Sequence, residues 1–277
     1  MWKKTFMCSL ILIVCTPVLA QHSLEANIRE ERAPFKIFDN LYYVGIDFVS
    51  AYILTTSDGL ILIDATYDRN VDHVLSGIKK MGFDPKDIKF ILVTHWHADH
   101  FGGAPAIHKL TGATVGMIGE DWDALKTPPG INSDQIWRIK DGDTLTLGDT
   151  TLKLFHLPGH TLGVLGIEYT LYDNGTPYKG LTFGGNGFNF RGVEQTEMII
   201  DSTKRVLAME GMQVNIGNHQ TMGKVFERAK RLEGRKPGEP HPFVDPGAFV
   251  EYHEDLLARA HTKLEKEMES AKRASEK

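Results

Sequence analysis

The stretch His95-Trp96-His97-Ala98-Asp99-His100 indicates more about this chain than any other part of its sequence. It begins just after the apolar run Phe90–Val93, which predicts a buried strand. Side chains two positions apart on a strand point to the same side, so His95 and His97 could share one metal ion at the end of that strand. The sequence therefore predicts a metal site here.

The same stretch contributes two further side chains of the kind that bind metals, Asp99 and His100. They precede Gly102-Gly103, where the chain is expected to turn, and a turn would direct both to one side of the first pair. Four such side chains within six residues suit two adjacent metal ions better than one. The alternative is a polar loop with solvated histidines, which so dense a cluster disfavours.

Two more histidines occur in confined places after predicted strands. His160 lies in Pro158-Gly159-His160-Thr161, and His219 lies in Gly217-Asn218-His219-Gln220. A neighbouring glycine lets the backbone approach a site closely. Each histidine alone would more often be structural than functional. All three histidine-bearing loops follow predicted strands, however, and strand ends are where a sheet protein places its site.

Short β-type runs alternate with turns and amphipathic segments along the rest of the chain. Strands are predicted at Leu41–Val44, Ala51–Leu54, Leu60–Ile63, Phe90–Val93, Leu145–Leu147, Leu152–Leu157, Val164–Leu171, Leu181–Phe183 and Val214–Ile216. Helices are predicted near Val71–Ile78, Gly103–Leu110, Glu120–Lys126, Glu194–Met209, Lys224–Leu232 and Ala248–Ala271, the last with Phe249, Tyr252, Leu256, Leu264 and Met268 on its inner face. No linker divides the two halves, so we predict an α/β fold of two packed sheets covered outside by helices.

The bulk composition limits the possible partners. With 42% hydrophobic and 24% charged residues, the chain is apolar enough for one large domain or two small ones. Its net charge of −5 argues against nucleic acid or an anionic membrane as the main partner, because both require clustered Lys and Arg. The mild acidity is interpreted as serving solubility.

The first twenty residues have the layout of a secretory signal peptide. Met1–Lys4 is basic, Phe6–Val14 is apolar, and Val18-Leu19-Ala20 forms a cleavage site. An uncleaved membrane anchor is disfavoured, because the apolar run is shorter than the roughly 20 residues that span a bilayer. We therefore predict cleavage after Ala20, export to the periplasm without membrane attachment, and one domain over residues 21–277.

Both cysteines, Cys8 and Cys15, lie inside this predicted signal peptide. A lipoprotein signal is disfavoured because Cys15 follows Ile13-Val14 rather than small residues. The mature chain would then contain no cysteine, so any metal that it binds must be held by nitrogen and oxygen ligands alone.

The pattern HxHxDH, followed by PGHT and a late histidine, is similar to that of the metallo-β-lactamase superfamily. The resemblance extends from about Pro34 to the C-terminal helix, and it implies a four-layer αββα sandwich that binds two zinc ions per chain. It further implies that the first zinc is held by His95, His97 and His160, and the second by Asp99, His100 and His219. Asp64 matches an aspartate that supports such a site from behind, although a turn aspartate after a strand is an equally open interpretation.

Two features bear on the branch of this superfamily. Hydroxyacyl-glutathione hydrolases, lactonases and phosphodiesterases carry an aspartate that bridges both metals in a stretch like F-T-G-D, whereas this chain has Phe183-Gly184-Gly185-Asn186. A neutral amide is a poor bridge between two cations, so those branches are disfavoured. The first two β-lactamase subclasses use a cysteine ligand, which the mature chain would lack. The third subclass uses only His and Asp, and it is also similar at Tyr42–Gly45, Leu110–Thr114 and Pro242–Pro246.

Two departures from the third subclass concern substrate binding. Serines that usually help to hold the substrate carboxylate are missing around Asn186, which lies between Gly185 and Gly187. Asn186 is therefore expected to contact substrate in their place. The loop between Lys126 and Trp137 is also shorter than the substrate-covering loop of typical members. Both departures leave the metal ligands intact.

The resemblance implies a hydrolase that opens the β-lactam ring of penicillins, cephalosporins and carbapenems, and so an antibiotic-resistance enzyme with a small-molecule substrate. A zinc-bound hydroxide, which forms because zinc lowers the pKa of water to about 7, would attack the ring carbonyl, and Asp99 would orient it and pass a proton to nitrogen. Trp96, Phe101, Tyr67 and Trp122 are candidates for an apolar rim, with core packing as the main alternative. Two other functions stay open: a zinc hydrolase of another ester, lactone or amide, and a non-catalytic metal-binding protein.

Overall fold

Two β-sheets pack face to face in this protein, and every predicted ligand follows a strand of one or the other. The computed structural model describes residues 31–125 and 130–275. The predicted signal peptide, residues 1–20, and the first residues of the predicted short loop, 126–129, lie outside the described ranges.

The first sheet has seven strands that follow one another in chain order. They are β1 (Phe35–Phe38), β2 (Leu41–Tyr43), β3 (Tyr52–Thr56), β4 (Gly59–Ile63), β5 (Ile88–Leu92), β6 (Thr114–Ile118) and β7 (Ile136–Ile139). Neighbours are antiparallel from β1 to β4 and parallel from β4 to β7. The carboxyl ends of β4, β5 and β6 therefore meet at one edge of the sheet. Strands β1, β6 and β7 are not among the strands predicted from the sequence.

The second sheet has five strands in the order β12-β11-β10-β9-β8. They are β8 (Thr144–Leu147), β9 (Thr150–His156), β10 (Leu165–Asp173), β11 (Thr176–Phe183) and β12 (Val214–Asn215). Pairing is antiparallel from β8 to β11, and β12 is parallel to β11. Strands β9, β11 and β12 consequently run in the same direction, and their carboxyl ends also share an edge.

Most of the helices cover the outer faces of the two sheets. The helices are α1 (Val71–Lys80), α2 (Ala98–Phe101), α3 (Ala104–Thr111), α4 (Gly119–Ala124), α5 (Val193–Leu207), α6 (Val225–Glu233) and α7 (Pro246–Ser275). Single 3-10 turns occur at Asp68–Asn70, Pro85–Asp87 and Ser133–Gln135. All the predicted helices are present with small shifts at their ends, and α2 is additional. No helix in the described part of the chain is long and apolar enough to cross a bilayer.

Apolar side chains form three buried layers. The central layer, which includes Ile63 and Leu154, lies between the two sheets. A second layer packs the first sheet against α1, α3 and α4 through residues such as Val74. A third packs the second sheet against α5 and α7 through Ile199 and Phe249. The order helix, sheet, sheet, helix confirms the predicted αββα sandwich.

One prediction about the histidine stretch is wrong in detail. Strand β5 ends at Leu92, so His95 and His97 lie in a loop rather than on strand positions. The strand stops because the backbone N–H of Thr94 donates to the Asp64 carboxylate at 2.7 Å instead of to a neighbouring strand. The predicted turn is present at Gly102-Gly103, and the short helix α2, which contains Asp99 and His100, precedes it.

The inner face of the last helix is also shorter than predicted. Phe249 and Leu256 are buried as expected, and the last buried residue of α7 is Ala260. Met268 is 54% exposed, because α7 continues for several turns beyond the part that packs on the second sheet.

Candidate metal centre

The predicted ligands come together where β5, β9 and β12 end. The stretch His95–His100 follows β5, His160 follows β9, and His219 follows β12. A backbone hydrogen bond joins the two sheets at this place, from Leu165 N to Thr94 O at 2.8 Å. The two sheets therefore approach each other closely where the loops that carry the ligands begin.

His95, His97 and His160 each place one nitrogen around a common point. Nε2 of His160 lies 3.1 Å from Nε2 of His95 and 3.1 Å from Nδ1 of His97. The ligand atoms of all three lie within 4.8 Å of one another. His97 thus presents Nδ1, whereas His95 and His160 present Nε2. This choice lets His95 and His97 converge although they do not lie on a strand.

The remaining ring nitrogens show which tautomers the histidines adopt. Nδ1 of His95 lies 2.8 Å from the carbonyl oxygen of Gly184, and Nδ1 of His160 lies 2.9 Å from that of Gly187. A carbonyl can only accept, so each Nδ1 carries the hydrogen and each Nε2 presents a lone pair. Lone pairs 3.1 Å apart repel each other unless a cation lies between them, so this arrangement fits a metal ion.

Asp99, His100 and His219 form a second group beside the first. Nε2 of His100 lies 3.1 Å from Nε2 of His219, and Oδ2 of Asp99 lies 3.5 and 3.6 Å from these two nitrogens. Nδ1 of His219 is 3.1 Å from the carbonyl of Phe48, so Nε2 again presents a lone pair. His95 also lies within 4.8 Å of the ligand atoms of Asp99 and His100 and therefore borders both groups.

Asp64 supports the second group from behind, where the resemblance places it. Its Oδ2 lies 2.7 Å from Nδ1 of His100 and accepts the hydroxyl of Thr94 at 2.9 Å, while Oδ1 accepts the Thr94 N–H. Its backbone has a φ of +58°, a conformation that costs a residue other than glycine about 1 kcal/mol. These contacts fix the His100 ring with Nε2 towards the other ligands.

Burial keeps most of these histidines neutral. It lowers the pKa of His160 and of His219 to about 4, and that of His95 well below its usual range. Burial opposes protonation of His100 as well, but the charge and hydrogen bond of Asp64 raise its pKa. Neutral imidazole is the form that binds a metal, so the site is largely prepared for metal binding at neutral pH.

Five of the six predicted ligands, all except the fully buried His100, line an open cavity of about 270 Å³. Asn186, Asn189 and Asn218 contribute amides to its wall. Asn186 is buried, accepts a hydrogen bond from the hydroxyl of Tyr252 at 3.2 Å, and belongs to neither ligand group. Its predicted contact with substrate stays a prediction, made for a residue that lies at the wall of the cavity.

Of the four aromatic residues considered for an apolar rim, Trp96 lies at the cleft, 36% exposed, in a depression beside the ligands. Phe101 and Trp122 are buried and pack edge to face with ring centroids 6.0 Å apart, so their role is in the core. Tyr67 packs under the guanidinium of Arg69 instead.

Sequence reasoning missed a further rim residue, Phe48. It is 41% exposed, and its ring centroid lies 4.7 Å from that of His219. An isolated aromatic residue in a loop carries no pattern that would have identified it.

Two supporting residues were also missed. Asn218 donates its side-chain amide to the Thr94 hydroxyl at 3.1 Å and to the carbonyl of Gly184, which itself binds His95. Its position directly before His219 is a signal that could have been used. Asp121 accepts hydrogen bonds from both loops of the first ligand group, and nothing near it in the sequence indicates this.

Comparison with known proteins gives consistent family matches. A sequence profile described as the metallo-beta-lactamase superfamily matches residues 44–173. Among solved structures, the subclass B3 metallo-β-lactamase BJP-1 of Bradyrhizobium japonicum is 31% identical with a TM-score of 0.77, over 88% of this chain and 97% of that one. The metallo-β-lactamase FEZ-1 of Legionella gormanii is 28% identical with a TM-score of 0.77, over 87% and 98%.

The curated relatives point to another activity within the same superfamily. A hydroxyacylglutathione hydrolase of Hyphomonas neptunium is 36% identical over 113 residues, which is 41% of this chain and 41% of that protein. The match thus spans less than half the length of that relative. The sandwich fold, the ligand-bearing loops and the near full-length structural match show that this chain belongs to the metallo-β-lactamase superfamily.

Proposed function

We propose that this protein is a zinc hydrolase that opens the ring of β-lactam antibiotics, and that it acts in the periplasm after export. One observation carries the proposal: members of two neighbouring ligand groups, made only of His and Asp, line one cavity, and Asn186 lies in its wall. BJP-1 and FEZ-1, which this chain matches along almost their whole length, are metallo-β-lactamases. Antibiotic resistance would follow from this activity.

The donor set fits zinc. Imidazole nitrogen and carboxylate oxygen are common zinc ligands, and the converging lone pairs leave a place for a cation. We propose two ions per chain, because the described side chains form two groups of three: His95, His97 and His160, and then Asp99, His100 and His219. Bound zinc would supply a water whose pKa is lowered to about 7.

The protein's own side chains would orient the reactants. Asp99 is the only carboxylate among the described residues that line the 270 Å³ cavity, so it is the group suited to orient the attacking water and to deliver a proton to the departing nitrogen. Asn186 and Asn189, which line the cavity, would offer amide N–H groups to the substrate carboxylate. Phe48 and Trp96 would shield apolar parts of the substrate from water.

Hydrolysis of a hydroxyacyl-glutathione thioester is the second candidate. It is favoured by the curated relatives, hydroxyacylglutathione hydrolases that match 41% and 36% of this chain at 36% and 38% identity. Asn186 argues against it, because that branch has a bridging aspartate at the matching position. A thioester and a strained lactam present the same carbonyl chemistry to the site, so the substrate contacts decide between them.

Parallel assays of the zinc-loaded protein would separate the candidates. We expect turnover of a penicillin, a cephalosporin and a carbapenem, with much slower turnover of a lactoyl-glutathione thioester. The reverse order would favour the thioesterase. No turnover of any of these substrates, despite bound zinc, would favour another ester or lactone, or a non-catalytic metal-binding protein. The variant His95→Ala serves as the control for contaminating hydrolases.

A further inference from the structure

A second buried carboxylate, Asp121, lies beside the first ligand group. It is located in the first turn of α4, after strand β6, and its side chain is fully buried. Oδ2 accepts the backbone N–H of Trp96 at 2.9 Å and the hydroxyl of Thr161 at 2.8 Å, while Oδ1 accepts the backbone N–H of Gly163 at 2.7 Å. Each of these donors belongs to one of the two loops that carry the first ligand group.

The position of these donors connects the carboxylate to the ligands. Trp96 lies between His95 and His97, and Thr161 directly follows His160. A single side chain thus holds the two loops whose nitrogens converge at 3.1 Å. It contacts none of the imidazole rings through a hydrogen bond, so any effect on them must pass through the backbone of the loops.

No cationic side chain in the described ranges balances the charge of the Asp121 carboxylate. No Lys or Arg in the described part of the chain forms an ion pair with Asp121, whereas the nearby Asp123 pairs with Arg138. Burial outweighs the three hydrogen bonds and raises the pKa of Asp121 to about 6. A buried carboxylate without a cation is costly, and an apolar or amide side chain would fill the space at lower cost. A carboxylate, however, accepts hydrogen bonds from all three donors, and an uncharged side chain cannot.

Gly163 leaves the space that the Asp121 side chain occupies. A Cβ atom at Gly163 would lie 2.6 Å from the Asp121 backbone nitrogen and 2.7 Å from its Cγ, so only glycine allows this approach. The N–H of Gly163 can therefore reach Oδ1 at 2.7 Å.

We propose that Asp121 is a positioning residue: it sets the spacing between the His95–His97 loop and the His160 loop, so that their three nitrogens are already placed to hold one metal ion. Asp64 orients a ligand ring in the second group, whereas Asp121 acts on loop backbone in the first. The proposal concerns metal binding and holds whichever substrate the protein hydrolyses.

Metal binding measured on the full chain tests this role. Asp121→Asn replaces one accepting oxygen with an NH₂ group that faces an N–H or O–H donor, so at least one of the three hydrogen bonds is lost. We expect the affinity of the first site for Co²⁺ or Zn²⁺, from competition with a chelator, to fall about 10- to 100-fold. The visible absorption of Co²⁺ at that site should also change in intensity, because the ligand geometry is relaxed.

Asp123→Asn is the matched control. It lies on the same helix and undergoes the same chemical change, but its exposed carboxylate binds Arg138 at 2.7 Å and contacts neither loop. Metal affinity and the cobalt spectrum should equal those of the unmodified protein.

A second variant keeps the test decisive if Asp121→Asn does not fold. Thr161→Val removes one hydrogen bond and keeps the shape of the side chain, so a smaller loss of affinity is expected. A folded Asp121→Asn with unchanged affinity and cobalt spectrum would overturn the proposal. So would a Thr161→Val protein that binds metal like the unmodified chain when Asp121→Asn is unfolded.

Discussion

Asp64 and Asp121 are both buried carboxylates beside the metal centre, but they hold different parts of it. Asp64 binds a ligand ring directly, with 2.7 Å between its Oδ2 and Nδ1 of His100. Asp121 binds no ligand ring and instead accepts three hydrogen bonds from the loops that carry the first ligand group. One carboxylate therefore controls the orientation of a ring, and the other the spacing of loops.

The difference shows two kinds of support for a metal site: contacts that orient a ligand ring and contacts that hold the backbone of a ligand loop. A ring can rotate about its side-chain bonds, so its orientation requires a contact at the second ring nitrogen. A loop can shift as a unit, so its place requires contacts at the backbone. The effects of the two carboxylates should separate experimentally, because Asp64 contacts a ligand of the second group and Asp121 contacts the loops of the first.

The largest expected effect is that of His95→Ala, because His95 borders both ligand groups and its loss disturbs both. Turnover should fall to the level of the chelator-treated protein, while the far-ultraviolet circular dichroism stays native, since sheet pairing holds the loops. A variant that unfolds completely would instead mean that the metal is structural, and the catalytic interpretation would be weakened.

Asp64→Asn should produce the next largest effect. An amide cannot accept all the hydrogen bonds from His100 and Thr94, so the His100 ring loses its fixed orientation. We expect zinc affinity at the second group to fall about 10- to 100-fold, with the first group still filled. Stepwise Co²⁺ titration would show this, and selective loss of the first site would contradict the assignment of Asp64 to the second.

Asn186→Ala should affect substrate binding and leave both kinds of support intact. Loss of one hydrogen bond to a charged substrate group corresponds to about 1.5–3 kcal/mol, so KM for β-lactams should rise roughly 10- to 100-fold. Zinc content should not change. Tyr252→Phe, which removes only the hydroxyl that donates to Asn186, should raise KM less. A fall in zinc content would show that Asn186 is a ligand.

The smallest effect on activity is expected at His253. This residue is buried like the ligands but lies outside both ligand groups, so its burial should change the pH dependence of stability. It is fully buried on α7, and within the described ranges its ring makes one hydrogen bond, from Nδ1 to the Phe249 carbonyl at 2.7 Å. Burial lowers its pKa to about 4. The unfolded chain takes up a proton near pH 6.5, before the folded one does. Stability should therefore be full above pH 6.5 and decline towards pH 4, by up to about 3 kcal/mol from this residue.

Denaturant unfolding at several pH values would measure this contribution. His253→Phe should lose less stability than the unmodified protein between pH 7.5 and pH 4, with little change in turnover. His261→Phe, at an exposed position on the same helix, is the control and should keep the original pH profile. Identical pH profiles for all three proteins would show that His253 is not held neutral by burial.

The sequence was most informative where ligands are close together along the chain. The stretch His95–His100 predicted a metal site because the ligand types themselves are adjacent, and the αββα fold followed from strand and helix patterns together with the family resemblance. The strand position assigned to His95 and His97 was wrong, because a side chain from 30 residues away takes the N–H of Thr94.

Asp121 could not be predicted for the same physical reason. Its three partners lie 25, 40 and 42 residues away in sequence. An acidic residue in the first turn of a helix is also typical of ordinary helix-dipole stabilisation, so the local pattern indicated nothing more. Only the packing of β6 beside β5 brings this carboxylate to the two loops.

Zinc titration into chelator-treated protein, followed by turnover of a chromogenic cephalosporin, tests the central claim most directly. Two groups of three ligands predict that activity is absent without metal, rises as zinc is added, and reaches its plateau at about two equivalents per chain. A protein that binds zinc to saturation and never hydrolyses the cephalosporin would contradict the proposed β-lactamase activity.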